Sequence, residues 1–122
     1  MKILIVDDEK DAEALFRQKF RKEIKAGEID LLFAVSAEAA LKELRPESGR
    51  DVALVLADIN MPGMSGLELL QEIRKRKLAV QVYLITGLGD QETQKVALAS
   101  DGDAFFTKPL DFEALKNKML GI

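Results

Sequence analysis

The sequence predicts a single α/β domain: one five-stranded parallel sheet with helices on both faces, a doubly wound (βα)5 arrangement. Two observations carry that expectation. Short apolar runs rich in β-branched residues lack the alternation of a half-exposed strand, so they read as strands buried on both faces. Each run is followed by a segment whose apolar residues recur three and four positions apart, the spacing of an amphipathic helix. Strict alternation of this kind makes the strands parallel and the crossovers right-handed.

The elements follow in order. Residues 2–8, KILIVDD, form the first strand. Residues 11–27 form one helix, with Ala12, Leu15, Phe16, Phe20 and Ile24 inward and Gly27 closing it. Residues 29–35, IDLLFAV, are the second strand. Residues 36–46 are a helix, with Ser36 as N-cap and Pro46 just past its end. The loop ESGR leads into the third strand, DVALVLAD, over residues 51–58. Residues 65–77 are a helix with Leu67, Leu70 and Ile73 inward, and residues 79–87, AVQVYLITG, the fourth strand. A weaker helix spans residues 90–100, a short last strand residues 103–109, and a final helix capped by Asp111 residues 110–120.

Composition narrows the function. At 122 residues the chain is one domain able to bury a single sizeable core, and 48% hydrophobic with 32% charged residues is ordinary for a globular protein. The balance of 18 Lys and Arg against 21 Asp and Glu, net −3, argues against a chain built to coat nucleic acid or an anionic membrane. The absence of cysteine excludes disulfides, thiol nucleophiles and zinc–thiolate sites, and the absence of histidine excludes a Ser-His triad. No segment approaches the ~18 continuous apolar residues of a membrane span, so no membrane insertion is expected. MKILIVDDE is too short in apolar residues for a signal peptide, so the expected location is cytoplasmic.

In open parallel sheets the ligand crevice lies outside the carboxyl ends of the strands. Those ends carry Asp7 and Asp8, Asp58, Thr86 and Lys108. Clustered carboxylates repel one another, which favours a bound cation. With oxygen ligands and neither His nor Cys, the natural cation is Mg²⁺, or Mn²⁺ in its place. Asp8, Asp58 and the backbone carbonyl of Asn60 would ligate it, with Asp7 holding a coordinated water. The acidic loop DDEKD repels phosphate unless a metal intervenes. Lys108 then neutralises a phosphoryl oxygen, and Thr86 donates a hydrogen bond to another.

Taken together, ILIVDDE, ADINMPGMSGLELL, LITG and FFTKP resemble the receiver domain of two-component response regulators, over essentially the whole chain. The resemblance implies a flavodoxin-like sheet in the order 2-1-3-4-5 and a receiver domain over residues 1–122, with no output domain within them. It implies that Asp58 accepts a phosphoryl group from the phosphohistidine of a sensor histidine kinase or a histidine phosphotransfer protein. Thr86 is then the switch hydroxyl, Phe105 the aromatic switch position, and the Lys108–Pro109 bond cis. It implies a non-enzyme, turning over no separate substrate, whose fourth helix, fifth strand and fifth helix carry the signal to a downstream effector. That surface surrounds Gln91, Lys95, Phe105 and Lys116. The resemblance also leaves room for a dimer formed on phosphorylation. Phe105 stands where the family often has tyrosine, and without a hydroxyl its two rotamers rest on packing alone.

Plainer explanations exist for single features. An acidic pair can cap a helix, a Thr-Gly pair can end a strand, and a Lys-Pro pair is common in loops. Arg17, Lys19, Arg21, Lys22 and Lys25 read as a solvated helix face, and Arg74 to Lys77 as cations closing a helix at its negative end. Two rival functions stay open. A haloacid dehalogenase-like phosphatase also uses a strand-end Asp with Thr, Lys and Mg²⁺, but needs an acid two residues on, where this chain has Asn60. A phosphorylation-independent interaction module would have no use for the intact Asp-Thr-Lys set.

Overall fold

The computed structural model describes residues 1–48, 51–87, 89 and 91–121. Five strands and the intervening helices alternate as expected: β1 (Lys2–Val6), α1 (Asp11–Lys19), α2 (Arg21–Lys25), β2 (Asp30–Ala34), α3 (Ala37–Glu43), β3 (Leu54–Asp58), α4 (Gly66–Lys75), β4 (Gln81–Thr86), α5 (Gln91–Leu98), β5 (Ala104–Thr107) and α6 (Phe112–Leu120). All pairings are parallel, in the order β2-β1-β3-β4-β5. Part of the predicted ESGR loop (Gly49, Arg50), the start of the fourth predicted helix (Asp90), Leu88 and Ile122 lie outside the described residues.

Side chains alternate across a strand, so each buried strand supplies two cores. Leu4, Val6, Val55, Ala57, Val82 and Leu84 pack under α3, α4 and α5. Ile3, Ile5, Leu54, Leu56, Tyr83 and Ile85 pack with Phe16, Phe20, Leu115 and Met119 on the opposite face. That double burial is why the strand runs carry no polar alternation.

Helix ends follow local chemistry. Ser36 accepts the Ala39 amide at 3.1 Å, and Asp111 accepts the Ala114 amide at 3.1 Å. Ser65 and Glu68 form a reciprocal capping box at the start of α4. Gly27 adopts the left-handed conformation, φ 75°, that closes a helix.

The first predicted helix is divided. Phe20 leaves helical geometry (φ −102°, ψ 16°) between α1 and α2. Phe20 is almost wholly buried, and its ring lies 6.1 Å edge-on to Phe112 of α6. Reaching that partner matters more than continuing the helix, while the Ile24 amide still bonds the Phe20 carbonyl at 2.9 Å. Leu15, expected inward, is 44% exposed. The five cations Arg17, Lys19, Arg21, Lys22 and Lys25 are exposed as expected.

Arg74 does more than favour a helix dipole. Its guanidinium donates to the carbonyls of Val80 (3.0 Å) and Asp101 (3.1 Å) and to Asp103 Oδ2 (2.8 Å). The same carboxylate oxygen accepts the Val82 amide at 2.8 Å, which ties α4 to the start of β5. Lys116, expected on the output surface with Gln91, Lys95 and Phe105, is largely covered on the α2 side. It pairs with Glu23 Oε2 at 3.2 Å and lies 5.3 Å over the Phe20 ring.

Candidate functional site

Parallel register brings the strand ends into one line. Val6 pairs with Ala57, Asp58 with Ile85, and Thr86 with Thr107. Asp7 and Asp8 therefore leave β1 beside Asp58, which ends β3, and Lys108 leaves β5 just past Thr107. Carboxylate oxygens of Asp7, Asp8 and Asp58 lie within 4.8 Å of one another. Asp58 is buried, Asp7 half-buried and Asp8 exposed.

Backbone shapes the pocket around Asp58. Its Oδ1 accepts the Asn60 amide at 3.0 Å, which turns the chain sharply out of β3. The turn then returns so closely that a Cβ at Gly66 would stand 2.6 Å from the Asp58 carbonyl oxygen and 2.9 Å from Ile59 Cα. Only glycine lets α4 begin there, and the Gly66 amide bonds the Ile59 carbonyl at 3.1 Å. The glycine-bearing turn NMPGMSG is legible in the sequence as a place where backbone passes close beside Asp58, and Gly66 is the residue that makes the approach.

Lys108 supplies the counter-charge. Its Nζ donates to Asp58 Oδ2 at 2.8 Å and lies 3.7 Å from Glu9 Oε1 and 4.0 Å from Asp7 Oδ2. Burial alone would lower the ammonium, but the Asp58 hydrogen bond and charge, with Asp7 and Glu9 adding, hold it above its ordinary value of 10.5. The Lys108 amide donates to the Thr86 carbonyl at 2.8 Å, and the Lys108–Pro109 peptide is cis.

Burial raises the Asp7 carboxyl above its ordinary 3.8, and the charges of Asp58 and Glu9 push the same way, against the Glu9 amide and Lys108. An acid held up by burial and like charge, in a set of oxygen donors without nitrogen or sulfur, suits a hard divalent cation. Thr86 is fully buried, and its Oγ1 has no hydrogen-bond partner among the described residues. A buried donor left this way costs about 1–3 kcal/mol. Phe105 stands away from the carboxylates. It pairs with Leu84 on β4, so it shares a sheet face with Leu84 and Thr86, and it is half-buried against the core under α5. Glu9 was not named as a site residue from sequence, although it directly follows the acidic pair.

Among the described residues no helix is long and apolar enough to cross a membrane. The chain is 30% identical over 119 residues to the two-component response regulator PhoP of Pseudomonas aeruginosa, covering 98% of this chain and 50% of that protein. It is 28% identical over 119 residues to a cyclic di-GMP phosphodiesterase of Thermotoga maritima, covering 98% and 30% respectively. The chain thus spans half or less of the length of these curated relatives. Among solved structures it resembles the response regulator protein TrrA of Thermotoga maritima in complex with Mg²⁺ and BeF (33% identity, TM-score 0.75, 98% of this chain and 96% of that one). It also resembles the receiver domain of the Francisella response regulator 1452 (25% identity, TM-score 0.80, 98% and 93%). The model of the response regulator receiver domain matches residues 3–120, nearly the whole chain, and the chain therefore belongs to that family.

Proposed function

We propose that this receiver domain accepts a phosphoryl group on Asp58 from the phosphohistidine of a sensor histidine kinase or a histidine phosphotransfer protein. The observation that carries the reading is the buried Asp58 carboxylate, hydrogen-bonded to Lys108 at 2.8 Å and gathered with Asp7 and Asp8. An Asp58 oxygen forms the new O–P bond as the P–N bond breaks and the imidazole leaves with the bonding pair. Lys108 neutralises a phosphoryl oxygen, and the orphaned Thr86 hydroxyl turns to donate to another. Asp8, Asp58 and the Asn60 carbonyl would hold Mg²⁺, with Asp7 engaged through water, and Mn²⁺ would serve as a substitute. Bound there, such a cation would offset the carboxylate repulsion and supply Lewis-acid polarisation of the phosphoryl oxygens. The TrrA complex with Mg²⁺ and BeF supports this assignment.

An open cleft of about 840 Å³ beside α1, lined by Asp7, Glu9, Leu15, Phe16, Lys108 and Pro109, is where a protein donor would dock. Output runs through α5, β5 and α6. Movement of Thr86 toward the phosphoryl group frees space on the sheet face that it shares with Phe105, whose ring turns further in. The chain turns over no separate substrate. Asn60, two residues past Asp58, has no proton to serve a phosphatase as general acid. Incubation with Mg²⁺ and a small phosphodonor, followed by intact-mass measurement, tests the assignment. One phosphoryl group is expected on the wild type and none on Asp58→Asn; labelling of the variant would move the acceptor elsewhere.

A further inference from the structure

We infer that Glu9 is a charge filter at the mouth of the site. It disfavours phosphodonors in proportion to their negative charge, and so favours a singly charged phosphoramidate over a doubly charged acyl phosphate. The inference rests on Asp58 being the phosphoryl acceptor.

Four acids surround the Lys108 end of the sheet, and they are not equivalent. Asp7, Asp8 and Asp58 form one cluster of oxygens suited to share a cation, which would offset their charge. Glu9 stands outside that cluster, with its Oε1 3.7 Å from Lys108 Nζ and a side chain 70% exposed. Its backbone is held at both ends: the amide donates to Asp7 Oδ1 at 2.9 Å, and the carbonyl accepts the Ala12 amide at 3.2 Å. One ammonium, Lys108, thus faces Asp58, Asp7 and Glu9 together, so the Glu9 carboxylate is only partly compensated, and its backbone is fixed on the solvent side of Lys108. A donor presenting its phosphoryl group to Asp58 and Lys108 comes within a few ångströms of that carboxylate. Asp11 and Lys19 line the same cleft with opposite charges, which leaves Glu9 as the acid set directly against Lys108.

Two small donors separate this effect from general reactivity. At neutral pH phosphoramidate is a zwitterion, H₃N⁺–PO₃²⁻, with a single net negative charge, whereas acetyl phosphate carries close to two. With both, an Asp58 oxygen forms the new O–P bond. From phosphoramidate the P–N bond breaks and ammonia leaves with the bonding pair; from acetyl phosphate the P–O bond breaks and acetate leaves with it. Neither leaving group needs a proton from the protein. Each donor's intrinsic reactivity cancels when a variant is compared with the wild type, and the salt dependence of the ratio isolates the part set by donor charge.

Phosphorylation rates of the wild type, Glu9→Gln and Glu9→Lys are measured with each donor in Mg²⁺ by intact mass. Glu9→Gln should raise the acetyl phosphate rate about threefold more than the phosphoramidate rate, the effect of one further unit charge a few ångströms away in partly screened surroundings. Glu9→Lys should widen the gap, and high salt should close it. A donor ratio equal to that of the wild type in both variants overturns the inference while leaving the acceptor assignment intact. Failure of both donors to label the wild type overturns the acceptor assignment, and the inference with it.

Discussion

Lys108 Nζ lies 2.8 Å from Asp58 Oδ2, across 50 residues of sequence, and the contact spans the carboxyl ends of β3 and β5 with β4 between them. An ammonium already resting on the acceptor carboxylate has only a short path to a phosphoryl oxygen. Lys108→Ala should retain Mg²⁺ binding, since the three acids remain, but slow phosphorylation by about 10²–10³. Metal titration by NMR and intact-mass kinetics check the two halves separately. Equal rates for variant and wild type would remove Lys108 from the chemistry.

The orphaned Thr86 hydroxyl sets stability against response. Thr86→Val removes a buried donor that bonds nothing among the described residues, so the unphosphorylated domain should unfold no more easily, and up to about 1–2 kcal/mol less easily, than the wild type. Urea unfolding measures this. The same variant should still accept the phosphoryl group yet lose the amide shifts that a beryllofluoride complex produces around Phe105 and α5. A marked loss of stability would show that the hydroxyl has a partner in the resting state.

The raised Asp7 carboxyl has a definite sign. Its folded value lies above the ordinary 3.8, so the folded state favours the protonated form, and stability drawn from that form declines as pH rises through the folded value. Asp7→Asn should therefore be as stable as the wild type or more so at neutral pH, and should lose part of the wild type's decline with rising pH. Protons and Mg²⁺ compete for the acids, so wild-type Mg²⁺ affinity should begin to fall, on acidification, at a pH above that expected of an ordinary carboxylate. Calorimetric Mg²⁺ titration over a pH series gives the answer. Lys108 acts with the opposite charge: its contribution is complete below 10.5 and is lost as pH rises through its higher folded value.

Gly66→Ala probes the backbone wall behind Asp58. The added methyl would meet the Asp58 carbonyl oxygen at 2.6 Å, and neither that atom nor Ile59 Cα is a flexible end that could swing aside. Displacing the start of α4 should cost about 1–3 kcal/mol by thermal unfolding. It should also weaken Mg²⁺ binding, because the same turn carries Asn60. An unchanged melting temperature would mean that α4 can retreat freely.

Much of this domain was legible in its residues. Runs such as ILIV and LVLA, apolar at every position, declare strands covered on both sides, and the periodic segments between them declare the helices that cover them. Asp7, Asp8, Asp58, Thr86 and Lys108 were readable because a parallel sheet delivers every strand's carboxyl end to one rim, whatever lies between. Tertiary packing decided the rest. Phe20 leaves the helix because Phe112, far along the chain, offers its ring a buried edge. Arg74 and Lys116 look like surface cations until folding brings Asp103 and Glu23 to them. Gly66 and Glu9 matter for distances to backbone and to Lys108 that no spacing encodes. Periodicity is local and survives in one dimension, whereas which charge faces which, and how closely two backbones pass, exists only once the sheet has assembled.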